Sequence, residues 1–123
     1  MRSSHALISR IRSQVPALEP LYEEHMADYD ELLPHVLMGD VTRLAMQLHT
    51  QAQRGAAEAR DQLTHLLHIL EEEMQSPDDE VQELIAVSFL ENLERDDPQF
   101  PDLRNQLGQN LLAALDSLDA DSF

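Results

Sequence analysis

Met74-Gln75-Ser76-Pro77-Asp78-Asp79-Glu80, followed by Val81-Gln82-Glu83-Leu84-Ile85-Ala86-Val87-Ser88-Phe89-Leu90, is the stretch whose reading decides the fold. The first half reads as a tight acidic turn. Ser76 is a good helix N-cap, because its hydroxyl can accept an orphan backbone N–H. Pro77 then falls at the first helical position, where a missing N–H costs nothing. Asp78, Asp79 and Glu80 place negative charge at the positive end of the helix dipole. The second half is apolar nearly all round, with Ser88 as its one small hydroxyl, expected to bond back to a preceding carbonyl. A helix of that composition must be covered on more than one side. A buried strand would show the same short apolar run. Length and capping favour a helix from Val81 to Leu93, which is expected to be central.

Working upstream, Ala59, Leu63, Leu66, Leu67, Leu70 and Met74 fall on one face of a helix over Ala56–Gln75. With the apolar run it predicts two antiparallel helices across the turn. Gly55 ends the helix before, which runs from a cap at Asp40 to Gln53 with Val41, Leu44, Ala45, Leu48 and Ala52 as its stripe. Leu32 to Met38 reads as a short helix with Gly39 as a left-handed exit. Leu21 to Asp28 is another, opened by Pro20, and Ser4 to Val15 is the first, stopped by Pro16. Downstream, Glu94 to Asp102 is an irregular connector. A last helix then covers Leu103–Leu118, with Asp119 to Phe123 frayed. No segment alternates at period two. The expectation is an all-α fold, a compact stack of five to seven helices in one domain over residues 1–123, with a HEAT-like helix pair at its centre.

The composition narrows function by exclusion. The chain has 123 residues, a net charge of −16, and 8 basic residues that are all arginine. Such a chain is repelled by phosphate backbones and by anionic lipid surfaces, so neither nucleic acid nor membrane is an expected direct partner. It has no cysteine, so no thiolate site or disulfide. It has no lysine and only Gly39, Gly55 and Gly108, which excludes Schiff-base chemistry and phosphate-cradling loops. No run of residues is long and apolar enough to span a bilayer, and a cytoplasmic location is expected.

Asp61, His65, His68 and Glu72 line up at helical spacing and raise the possibility of a metal site or of hydrolytic chemistry. They lack the HExxH pattern, and a charged row of this kind usually forms a solvated face. No metal, no cofactor and no enzymatic activity are therefore expected. His35, beside Pro34, is expected to be a hydrogen-bonded core or boundary residue, and Phe89 a core residue. The acidic residues gather over Glu19–Glu31, Glu71–Glu83 and Glu91–Asp102. The expected partner-binding residues are Glu23, Glu24, Asp28, Tyr29, Asp30, Glu71, Glu72, Glu73, Asp78, Asp79, Glu80, Asp96 and Asp97. Tyr22, Tyr29 and Phe100 would be aromatic anchors inside that negative rim.

Two stretches carry a resemblance: Glu31-Leu32-Leu33-Pro34-His35-Val36-Leu37-Met38-Gly39-Asp40, and Asp79 through Leu93. Together they resemble small acidic helical bacterial proteins, some of which are similar to immunity proteins of Rhs-type and other polymorphic toxins. The resemblance implies a protein that binds one cognate toxin domain and occludes its active site. The acidic balance agrees, since a basic toxin cleft would attract a negative plug. The alternatives are a small metal-binding or hydrolytic protein using His65, His68 and Glu72, and an acidic adaptor or nucleic-acid mimic that occupies a basic host protein.

Overall fold

A computed structural model describes residues 2–120. Seven α-helical segments and one π-helical segment follow one another, and there is no strand among the described residues. They are α1 (Arg2–Gln14), α2 (Leu18–Tyr29), α3 (Pro34–Gln53), α4 (Ala57–Glu73), α5 (Asp79–Glu83), the π segment (Leu84–Leu90), α6 (Phe100–Asn105) and α7 (Gln109–Ala120). The all-α reading holds. None of these helices is long and apolar enough to cross a membrane.

The apolar stripes expected over Val41–Ala52 and Ala59–Leu70 are buried, and apolar faces of α1 and α7 join them. Leu7, Ile8 and Ile11 of α1, Val41, Leu44 and Leu48 of α3, Leu63, Leu66 and Leu70 of α4, and Leu111 and Leu115 of α7 all join one core. The hub is different from the one expected. α3 makes the most extensive contacts, with α4, with the π segment and with α2, whereas α1 lies on α4 and α5, and α7 on the π segment and α4. The apolar run is therefore a wall of the core, and its main neighbour is α3.

Gly39 does not end a helix. α3 runs unbroken from Pro34 through Gly39 and Asp40 to Gln53, because the residues on either side of the glycine continue a single buried stripe: Leu37, Met38, Val41, Leu44 and Ala45. Gly55 does interrupt the chain, at φ +95°, a conformation that L side chains rarely adopt. Gly108 interrupts it as well, splitting the expected last helix into α6 and α7. Asp119 is helical and accepts from Arg95 (2.9 Å), whereas the expected fraying over residues 121–123 lies outside the described residues.

The apolar run itself departs from regular α geometry. Glu91 N–H donates to Ala86 C=O at 3.0 Å, an i→i−5 bond that marks the π turn. The widened segment ends at Leu90, three residues before the expected end, and its last carbonyls go to side chains. Ser88 C=O accepts from Asn92 Nδ2 (2.8 Å), Phe89 C=O from Thr42 Oγ1 (2.9 Å), and Leu90 C=O from Arg95 Nη1 (2.8 Å). Thr42 is buried, so its hydroxyl works away from water. Replacing it with the near-isosteric valine should cost about 1–3 kcal/mol, the penalty for a buried carbonyl left without its donor. Urea unfolding with an unchanged m-value measures this, and a loss under about 0.5 kcal/mol would show that the hydroxyl does not support the segment.

Candidate interaction surface

The acidic residues divide into two groups once their partners are known. The turn of 74–80 is internally committed. Asp78, rather than Ser76, caps α5: its backbone is extended at φ −80°, ψ 109°, and its carboxylate accepts from Glu80 N–H at 3.0 Å. Ser76 Oγ accepts from Asp78 N–H instead (3.1 Å), and Pro77 stays outside the helix. The same turn reaches across to the start of α1. Asp78 accepts from Ser3 Oγ, and Glu80 from Ser4 Oγ (2.7 Å) and Ser4 N–H (3.2 Å). Of the carboxylates that were expected to face a partner, Glu80 thus caps a second helix 76 residues away in the chain, and Asp78 holds a hydroxyl of that helix's first turn.

The end of α4 is engaged in the same way. Glu71 accepts from Asn110 N–H and Nδ2 (both 2.8 Å) and from Leu111 N–H (2.9 Å), so it caps α7. Glu72 and Glu73 both pair with Arg10, Glu73 at 2.9 Å. His68 Nε2 lies 3.4 Å from Glu72, and no group of three or more His, Asp or Glu among the described residues is arranged to hold a metal ion. Of the carboxylates in this second cluster, Asp79 is exposed and Asp78 and Glu80 are partly covered.

Several of these pairings perturb ionisation. The Arg10 guanidinium holds the Glu72 carboxyl below the usual range, and the Ser3 hydroxyl, aided by the backbone N–H of Glu80 and Val81, does so for Asp78. At Glu71 burial opposes ionisation, but the Leu111 and Asn110 donors outweigh it and the net shift is downward.

The third cluster is mixed. Asp97 accepts locally from Gln99 N–H (2.8 Å), whereas Asp96 is exposed. Gln99 in turn latches the connector to α3 through Thr50 Oγ1 and His49 Nδ1, each at 2.7 Å. Phe100 opens α6, so the irregular connector ends before the expected Asp102; the Phe100 ring is buried, and Tyr22 is half-buried with the Arg12 guanidinium 3.6 Å from its ring centroid. Of the three expected aromatic anchors, Tyr29 alone is open to solvent, at 46 %.

The first cluster is open to solvent beyond Glu19. Glu23, Glu24, Asp28, Asp30 and Glu31 are all exposed. Arg12 lies near Glu23 but pairs with Glu19 (2.9 Å), and Glu24, Asp28, Asp30 and Glu31 have no ion pair among the described residues. The corner that displays them is rigidly built. Asp30 adopts the left-handed conformation at φ 61°, and its N–H closes α2 onto Met26 C=O. His25, 3 % exposed, accepts Leu33 N–H on Nε2 at 2.9 Å and packs against the Tyr29 ring, tilted by 45° with centroids 4.8 Å apart. Its ring proton therefore sits on Nδ1, which is buried without a partner.

A signal that the sequence reading missed lies next to this corner. His35 Nδ1 meets Ser88 Oγ, tying the first turn of α3 to the π segment, so Ser88 does not simply bond back to its own helix. His35 is itself exposed. Val36 and Val87, the residues that follow one partner and precede the other, are each 43 % exposed. Valines inside strongly apolar runs give no hint in sequence that they face water.

The architecture and this surface define a small, acidic, all-helical domain. Residues 8–120 match the model of the family described as a domain of unknown function (DUF7674), and the chain belongs to that family. No curated protein and no solved structure matches the chain.

Proposed function

We propose that the protein is an immunity-type inhibitor: it binds a bacterial toxin domain in the cytoplasm and occludes a basic active-site surface stoichiometrically, without turnover of its own. The observation that carries this reading is the open corner at the end of α2, where Tyr29 stands among Glu24, Asp28, Asp30 and Glu31, none of which has an ion pair among the described residues. Of the eight arginines, five, Arg10, Arg12, Arg43, Arg95 and Arg104, are in internal ion pairs with other carboxylates. An aromatic side chain on a fixed corner with a charged rim suits recognition of a basic protein, and the net charge of −16 speeds the encounter.

The test is co-expression with the toxin domain encoded by the neighbouring gene. A one-to-one complex and restored growth are expected. The triple reversal Glu24→Arg/Asp28→Arg/Glu31→Arg should lower the association rate by roughly tenfold or more at low salt while leaving the melting temperature unchanged. Asp30 is left intact, because its left-handed backbone would resist an arginine. No protection from any neighbouring toxin, or a reversed variant that binds like the parent, would count decisively against the proposal.

A further inference from the structure

We infer that the start of α3, between Tyr29 on one side and Val87 of the π segment on the other, is the face on which a basic amphipathic segment of a protein partner docks. This deepens the inhibitor reading and rests on it for the identity of the partner. Three large apolar side chains are exposed among the described residues, Tyr29, Val36 and Val87, and each is next to, or in ring contact with, a residue tied to the start of α3. Two hydrogen bonds hold their supports together: Leu33 N–H to His25 Nε2 beneath Tyr29, and His35 Nδ1 with Ser88 Oγ beside the two valines.

Carboxylates flank the apolar residues on both sides. Asp28 and Glu31 come from the α2 corner. Glu83 and Glu91 lie four residues before and after Val87, and both are exposed. None of these four has an ion pair among the described residues. An apolar centre between two negative margins is complementary to apolar side chains with arginine or lysine on either side of them. The same charge argues against the other occupants. A second copy would bring like margins together, and nucleic acid or anionic lipid would be repelled. The tyrosine supplies a large amphipathic anchor of the kind on which binding energy concentrates.

The full-length chain, labelled for amide NMR, is to be titrated with two synthetic peptides of equal positive charge. One is a lysine–leucine peptide with its leucines at helical spacing, and in the other serine replaces every leucine. The leucine peptide should shift the amides of Tyr29, Val36 and Val87 and bind roughly tenfold or more tightly than its control. A Val36→Ser/Val87→Ser variant, altered only at exposed sites, should keep its melting temperature and lose that preference. Equal affinities, shifts centred elsewhere, or a double variant that binds like the parent would overturn the assignment. If that variant still forms the toxin complex at full affinity, this face is wrong and the inhibitor reading stands. Leucine-selective binding here, without a complex with any neighbouring toxin, retains the face and removes the inhibitor reading.

Discussion

Truncation of Phe89 to alanine is expected to destabilise the protein by about 3–5 kcal/mol, the cost of lost transfer energy plus an unfilled cavity. Phe89 is completely buried within the π segment, and the atoms around it are held from two directions. Its carbonyl is fixed by Thr42, and the neighbouring carbonyls of Ser88 and Leu90 are held by Asn92 and Arg95. A site tied down in this way cannot collapse into the space left behind, which places the cost toward the upper end of that range. In a thermal melt the change corresponds to a drop of roughly 10–20 °C. Val87→Ala, two positions away and 43 % exposed, is the internal control and should stay within about 0.5 kcal/mol. Equal losses at the two positions would mean that the segment does not present these faces.

The second large effect is at Glu71 and Gly108. Glu71 supplies three acceptor contacts to the first turn of α7, and its removal by alanine should cost about 1–2 kcal/mol, as for loss of a good helix cap. Gly108 is where that carboxyl approaches the backbone so closely that a Cβ would overlap it. Gly108→Ala should therefore displace the Glu71 side chain and cost a similar amount. Because both substitutions remove the same contacts, the double variant should be little worse than either single one. Full additivity in a double-mutant cycle would show that the two residues do not act together.

The sign of the pH dependence follows from the donors. Glu71 is held below its usual ionisation range in the folded state, so its contribution is complete above the unfolded value of about 4.3 and is lost as pH falls through the lower folded value. The stability gap between the parent and Glu71→Ala should accordingly be constant above about pH 5 and close on further acidification. Comparing the two proteins cancels the carboxylates common to both. A gap that widens toward acid pH would reverse the assignment.

The helices were legible in the sequence wherever an apolar stripe of period 3.6 continued for two turns or more, as in Val41–Leu48 and Leu63–Leu70. What defeated the reading was anything decided by a distant partner. Gly39 carries a strong local stop signal, yet the stripe on either side of it wins because both halves bury into one core. Ser76-Pro77 is a better cap in isolation than Asp78, but Ser3 adds to what Asp78 already gives its own helix. A π turn leaves no mark in a run such as Leu84–Leu90, where every residue suits either winding. The acidic clusters look alike as composition. Only the fold shows that Glu71, Glu72, Glu73, Asp78 and Glu80 hold α1 and α7 in place, whereas Glu24, Asp28, Asp30 and Glu31 remain open.

The π winding also governs how the gene can drift. A regular helix that loses one residue rotates everything beyond it by about 100°, exchanging buried for exposed positions. A segment that already carries an i→i−5 bond can take up a deletion by tightening to ordinary i→i−4 spacing, which keeps the helix beyond it in register. Such a change would swing Val87 relative to α3, at the cost of the carbonyl contacts that Thr42, Asn92 and Arg95 now make.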